Sequence, residues 1–224
     1  MAALNPRDFR ARLERRAKRV GLTVSVELAE RLGAYVELLS RWNKRMNLTA
    51  LDERDEAIDR LLIEPLVAVK YLPSRSAAVL DIGSGGGSPA IPMKLAASGI
   101  SLRMVEAKTR KAAFLREAIR QLNLGDTVVE ATRYEELLSR PDLHEAAGVV
   151  TVRAVRIEVR LLTGLQAFLA PGGEIFLFRG SGGPDAPAAL TPLLRWHANY
   201  PLVESLRSRL TVFRKVRLGD RQKG

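Results

Sequence analysis

Cysteine is absent from all 224 residues, so disulfides, thiolate metal sites and thiol nucleophiles are excluded. Histidine is nearly absent: His144 and His197 stand alone, with no partner at metal-ligand or catalytic spacing. No apolar run reaches the length of a membrane span, and Met1 to Pro6 does not form a signal peptide. The expectation is a cytoplasmic protein with no membrane and no metal. Acidic residues are outnumbered, 25 against 36 Lys plus Arg, leaving a formal net charge of +11. That excess points to a polyanionic partner, nucleic acid being the commonest, although a merely soluble basic protein can carry it too. With 46% hydrophobic residues, the chain suits one α/β domain with an appendage.

The most informative stretch is Val79-Leu80-Asp81-Ile82-Gly83-Ser84-Gly85-Gly86-Gly87-Ser88-Pro89. An apolar run over 77–82 stops at glycines, which predicts a buried strand and a tight turn. Ile91, Met93, Leu95 and Ala96 then predict a helix whose first N–H groups face the loop. Glycines there permit positive φ and close approach of a ligand. As a G-x-G-x-x-G loop the stretch lacks its third glycine, because Ser88 occupies that place. As D-x-G-x-G-x-G it is complete, with Asp81, Gly83, Gly85 and Gly87. A carboxylate at the strand end repels a pyrophosphate and attracts a ligand with ammonium and sulfonium groups. S-adenosylmethionine is such a ligand; a dinucleotide and an empty glycine turn are the alternatives.

Helices are expected from Pro6 to about Leu72, and strands alternating with helices thereafter, dividing the chain into a helical region 1–72 and a sheet domain 73–224. Arg7, Arg10, Arg12, Arg15, Arg16, Lys18 and Arg19 crowd the first helix, as a solvated or a phosphate-contacting face. Leu28, Leu32, Tyr35, Leu39, Trp42 and Met46 form a core stripe on the second. Asp52 opens a third helix, and Pro65 kinks or restarts it. Expected strands cover 77–82, 101–106, 126–131, 149–153, 174–178, 202–206 and 211–216, the last two as an antiparallel hairpin. The result is a seven-stranded, mainly parallel sheet with helices on both faces.

Ligands of such sheets lie beyond the carboxyl ends of the strands, where strand order switches. Glu106, ending the second strand, can accept hydrogen bonds from two ribose hydroxyls or simply cap the following helix. Tyr134 and Glu135 follow the third strand, where an adenine edge would lie, or else begin a surface helix. Arg153 ends the fourth strand and can hold a phosphate or carboxylate, or form a structural ion pair. No Asp/Asn-Pro-Pro-aromatic motif follows that strand, which argues against methylation of an exocyclic base amine.

Trp42-Asn43-Lys44-Arg45-Met46-Asn47-Leu48-Thr49, with 81–92, 106–115 and 151–155, resembles the bacterial 16S ribosomal RNA guanine-N7 methyltransferases, the glucose-inhibited division protein B family. The likeness runs from about residue 30 to 180. It implies a Rossmann-like class I methyltransferase fold, S-adenosylmethionine as cofactor, and 16S ribosomal RNA or the small ribosomal subunit as partner. Gly83, Ser88, Tyr134, Glu135 and Arg153 fall at the family's cofactor positions, joining Asp81, Gly85 and Glu106. Asn43, Lys44, Arg45, Asn47 and Arg179 are the substrate-side candidates; Arg153 and Glu64 are the catalytic ones. Three stretches depart from the family pattern. Leu61 and Pro65 replace a His and a Ser before the first strand, Arg179 replaces a Lys, and Val152 replaces a Ser. A monomer is expected. A small-molecule methyltransferase and a non-catalytic RNA-binding protein are the competing functions.

Overall fold

A computed structural model describes residues 6–46, 55–153, 159–180, 191 and 193–216. The expectations placed on Asn47 and on the Asp52 helix start lie outside the described residues.

Two long helices begin the chain, α1 (Pro6–Arg19) and α2 (Val26–Met46). Gly21, at φ 66°, ends the first in the left-handed conformation that a side chain disfavours. Ser25 starts the second, its hydroxyl accepting the Leu28 N–H at 3.1 Å. A short helix α3 (Asp55–Ile58) runs into a π-helical turn, Asp59–Ile63, and then α4 (Glu64–Ala68). Pro65 sits in the first turn of α4 and has no N–H for the Leu61 carbonyl four residues back, which accepts the Ser88 hydroxyl instead; the expected restart takes the form of this π turn.

The sheet is built from β1 (Ala78–Ile82), β2 (Ser101–Val105), β3 (Thr127–Glu130), β4 (Ala147–Arg153), β5 (Leu169–Arg179), β6 (Leu194–Pro201) and β7 (Arg209–Lys215). Between them lie α5 (Ala90–Ala96), α6 (Thr109–Gln121), α7 (Tyr134–Leu137) and α8 (Val159–Leu165). Strand order is β3-β2-β1-β4-β5-β7-β6. The β5–β7 and β6–β7 pairs are antiparallel, and the other four pairs are parallel.

One strand is misplaced by the sequence pattern. Residues 202–206 do not form β6; that strand is Leu194–Pro201, and Glu204–Leu206 is a 3-10 turn. The apolar Leu202, Val203 and Leu206 are buried in a turn closed by Ser208, whose hydroxyl accepts the Val203 N–H at 3.1 Å. The true edge strand carries Arg195, His197 and Asn199, because one side of an edge is open to water.

Side chains alternate between two cores. Val79, Met104, Val149, Phe176 and Val212 face one, shared with α1, α2, α4, α5 and α6. Leu80, Ile82, Val105, Val150, Ile175 and Phe213 face the other, shared with α7 and α8. The N-terminal helices therefore pack on one face of the sheet and reach its carboxyl edge.

Candidate active site

Strand order reverses between β1 and β4, and the glycine loop leaves β1 at that point. Parallel pairing sets Asp81 opposite Thr151, and the Thr151 hydroxyl donates to Asp81 Oδ1 at 2.6 Å. Asp81 is 1% exposed. Burial raises its carboxyl above the usual range, with the Thr151 hydroxyl as the main opposing influence. Among the described residues, Asp81 Oδ2 and Thr211 Oγ1 are the buried side-chain atoms left without a hydrogen bond.

Gly83, Gly85 and Gly87 have φ of 73°, 53° and 87°. At Gly87 a Cβ would come within 2.5 Å of Ile91 Cδ1, so both conformation and space require glycine there. Four of the loop N–H groups are already engaged within the protein. Those of Gly83 and Ser84 donate to the Val105 carbonyl, Gly85 to Glu106 and Gly87 to the Ser84 carbonyl. The loop is a preformed cradle tied to β2.

Glu106 provides much of that tie: its carboxylate accepts the N–H of Gly85 at 2.9 Å and of Lys108 at 2.8 Å. Ser88 turns its hydroxyl toward the N-terminal helices, donating to the Leu61 carbonyl at 2.9 Å and accepting from Arg153 Nη1 at 3.1 Å. Arg153 Nη2 pairs with Glu64, and the guanidinium lies 5.5 Å from the centre of the Phe178 ring. The Arg153 side chain is 18% exposed and that of Glu64 4%. Burial raises the Glu64 carboxyl while Arg153 pulls it down; burial likewise lowers Arg153, with Glu64 opposing. The pair thus places a neutralised arginine at the carboxyl end of β4.

Seven expected residues meet in this cleft: Glu64, Asp81, Gly83, Gly85, Ser88, Glu106 and Arg153. Tyr134 begins α7 half-buried near Gly164, whose Cβ would stand 3.3 Å from the ring, and Glu135 beside it is exposed. Arg179 ends β5, half-buried, directly across the ladder from Arg209. Asn43 is half-buried and Lys44 and Arg45 are exposed on the last turns of α2, after Trp42, which packs edge-on against Phe114 of α6. Thr151 and Tyr35 were missed. The pairing of β1 with β4 was the signal for Thr151; for Tyr35 it was a hydroxyl within a leucine stripe.

Among the described residues no group of three His, Asp or Glu can hold a metal ion, and no helix is long and apolar enough to cross a membrane.

Comparison with known proteins places this cleft in context. The sequence model of the family described as rRNA small subunit methyltransferase G matches residues 28–211. The ribosomal RNA small subunit methyltransferase G of Syntrophotalea carbinolica is 30% identical, over 91% of this chain and 97% of its own. The protein of the same name from Xanthomonas euvesicatoria is 35% identical over 84% of this chain and 85% of its own. A crystal structure of an S-adenosylmethionine-dependent methyltransferase from Aquifex aeolicus, 11% identical, superposes with a TM-score of 0.55, covering 80% of this chain and 98% of that one. That likeness is one of fold.

Proposed function

The chain belongs to the rRNA small subunit methyltransferase G family, and from that premise we propose that it moves a methyl group from S-adenosylmethionine to N7 of a guanine in 16S ribosomal RNA. The observation that carries this reading is the buried Asp81 carboxylate, with Oδ2 uncommitted, beside three glycines at positive φ. The residues fit the cofactor. Asp81 offers negative charge to an ammonium group, Glu106 keeps acceptor capacity beyond its two backbone bonds for ribose hydroxyls, and Gly83 and Gly85 leave room for close approach. Tyr134 and Glu135 would flank the adenosine, and Ser88 and Arg153 the methionine end.

When bound, S-adenosylmethionine supplies a methyl carbon that a nucleophile can take while the bonding pair stays with sulfur. Guanine N7 has an in-plane lone pair on the major-groove edge, so no proton must leave it before attack. The chain accordingly needs to align rather than to act as a base. Alignment at near-attack distance is worth up to roughly 7–11 kcal/mol in favourable cases. Arg153 does that from a fixed place: Glu64, Ser88 and Phe178 hold the guanidinium on three sides. Glu64 also limits the positive field where the product guanine becomes cationic. At Leu61, where the family pattern has a His, the backbone carbonyl accepts the Ser88 hydroxyl.

Asn43, Lys44, Arg45, Asn47 and Arg179 would contact the RNA, with residues 1–72 as the helical part and 73–224 as the cofactor-binding part. The protein would act as a cytoplasmic monomer. Isothermal titration with S-adenosylmethionine, followed by transfer of labelled methyl to undermodified 16S RNA and to a metabolite panel, tests this function. Binding with transfer to RNA alone is expected; transfer to a metabolite supports a small-molecule enzyme, and absence of cofactor binding supports a non-catalytic RNA-binding protein.

A further inference from the structure

Tyr35 lies midway along α2 and is fully buried. In the sequence it is one more member of an apolar row, and its ring does pack in the core shared by the N-terminal helices and α5. Its hydroxyl does something else. It donates to the carbonyl of Gly86 at 2.7 Å, across 51 positions of sequence.

The peptide joining Gly86 to Gly87 is therefore held at both edges. Its carbonyl accepts from Tyr35, and its N–H, that of Gly87, donates to the Ser84 carbonyl at 2.6 Å. Gly85 and Gly87, which flank Gly86, have φ of 53° and 87°. A glycine run has the widest conformational choice of any sequence, so such a loop is not rigid by its own chemistry. Something outside must select one arrangement, and a buried phenol with a single acceptor does so. Burial pushes the Tyr35 hydroxyl far above the ordinary tyrosine range, so it remains a donor throughout the working pH range.

We infer that Tyr35 is a positioning residue for the cofactor loop, its hydroxyl fixing the Gly86–Gly87 peptide in the orientation that a bound cofactor meets. The inference rests on the S-adenosylmethionine site proposed above and adds α2 to that site's working parts. A loop set in advance leaves less ordering to be done on binding, which favours affinity. Without the hydroxyl, the Gly86 carbonyl loses its partner and the loop samples other peptide orientations.

The test uses the full chain with Tyr35→Phe, which keeps the ring and its packing. The cofactor Kd, measured by titration calorimetry, should rise about three- to tenfold, a change of roughly 0.7–1.4 kcal/mol. With saturating cofactor the methylation rate should return to within about twofold of the unaltered protein, so the loss sits in KM rather than kcat. Leu38→Ala, on the same helix at a residue 1% exposed, supplies the comparison. It should lower Tm at least as far and leave the cofactor Kd within about twofold. Hydrogen exchange without cofactor gives an independent readout: amides over 83–88 should exchange faster in Tyr35→Phe while those of 78–82 keep their rates. If the unaltered protein binds no S-adenosylmethionine, the proposed function fails and the exchange comparison alone decides the role of Tyr35. Unchanged Kd together with unchanged exchange would overturn the inference, as would an equal loss of affinity in Leu38→Ala.

Discussion

A carboxylate buried as deeply as Asp81, 1% exposed, is costly to the fold. Burial raises its folded-state value above the roughly 3.9 of an unfolded chain. Between those two values the unfolded chain has lost the proton and the folded one still holds it, so stability falls as pH rises through that window. Above both the loss is complete. Asp81→Asn removes it and should make the protein about 1 kcal/mol more stable at pH 7, a Tm gain of roughly 2–4 °C, with the gain vanishing below about pH 4. The same change should weaken S-adenosylmethionine at least tenfold, about 1.4 kcal/mol. Calorimetry in the two modes checks both halves. The glycines make a second prediction at this scale. Gly87→Ala meets Ile91 at 2.5 Å and strains a φ of 87°, and should cost about 2–4 kcal/mol in denaturant unfolding. At Gly85 a Cβ finds nothing nearer than 3.7 Å, so Gly85→Ala should cost only the backbone strain, about 1–2 kcal/mol.

Among the elements, the π turn is what joins the N-terminal helices to the cleft. Asp59 opens it and pairs with Arg16 of α1, whose Nε lies 2.8 Å from Oδ1. Two residues on, the Leu61 carbonyl takes the Ser88 hydroxyl, and at the far end Glu64 meets Arg153. Arg16 and Asp59 are 8% and 1% exposed, so removing the Asp59 charge leaves the buried guanidinium with only the more distant, less buried Asp55 at 3.6 Å. Asp59→Asn should cost about 3–5 kcal/mol in denaturant unfolding, whereas Arg16→Met combined with Asp59→Leu should recover most of that loss. Equal losses in the single and double variants would contradict the account.

This element also shows what a sequence conveys. The strand at 78–82 and its glycine turn were legible because an apolar run ending in alternate glycines has few other structures. The arginines of α1 were not. Period alone sets Arg12 and Arg16 among seven basic residues, and only the docking of α1 on α3 and the π turn separates these two, paired with Asp55 and Asp59, from their neighbours. Tyr35 was hidden for a related reason: its ring obeys the apolar period, while the partner of its hydroxyl depends on how α2 crosses the sheet. The edge strand β6 was lost because its open side carries polar residues, while the apolar turn after it imitated a strand.

Over the whole molecule, a net charge of +11 is a long-range property, screened by salt and indifferent to base sequence. The fold divides it into basic side chains used internally, such as Arg16 and Arg153, and exposed ones such as Lys44 and Arg45. Lys44→Gln with Arg45→Gln should therefore reduce the slope of log binding constant against log salt by about 1.4–1.8, and weaken all RNA sequences alike. Filter binding to a 16S RNA fragment across a salt series measures it. Cofactor affinity should not change, since neither residue belongs to the glycine loop.

The central claim is methyl transfer from a cofactor seated beside Asp81 to guanine N7 in small-subunit RNA. Mass mapping of 16S nucleotides from cells with and without this protein tests it most directly. One guanosine should carry an additional N7 methyl group when the protein is present, and lose it when Asp81→Asn replaces the unaltered chain. Identical maps, or a methyl group on another base or atom, would contradict the claim.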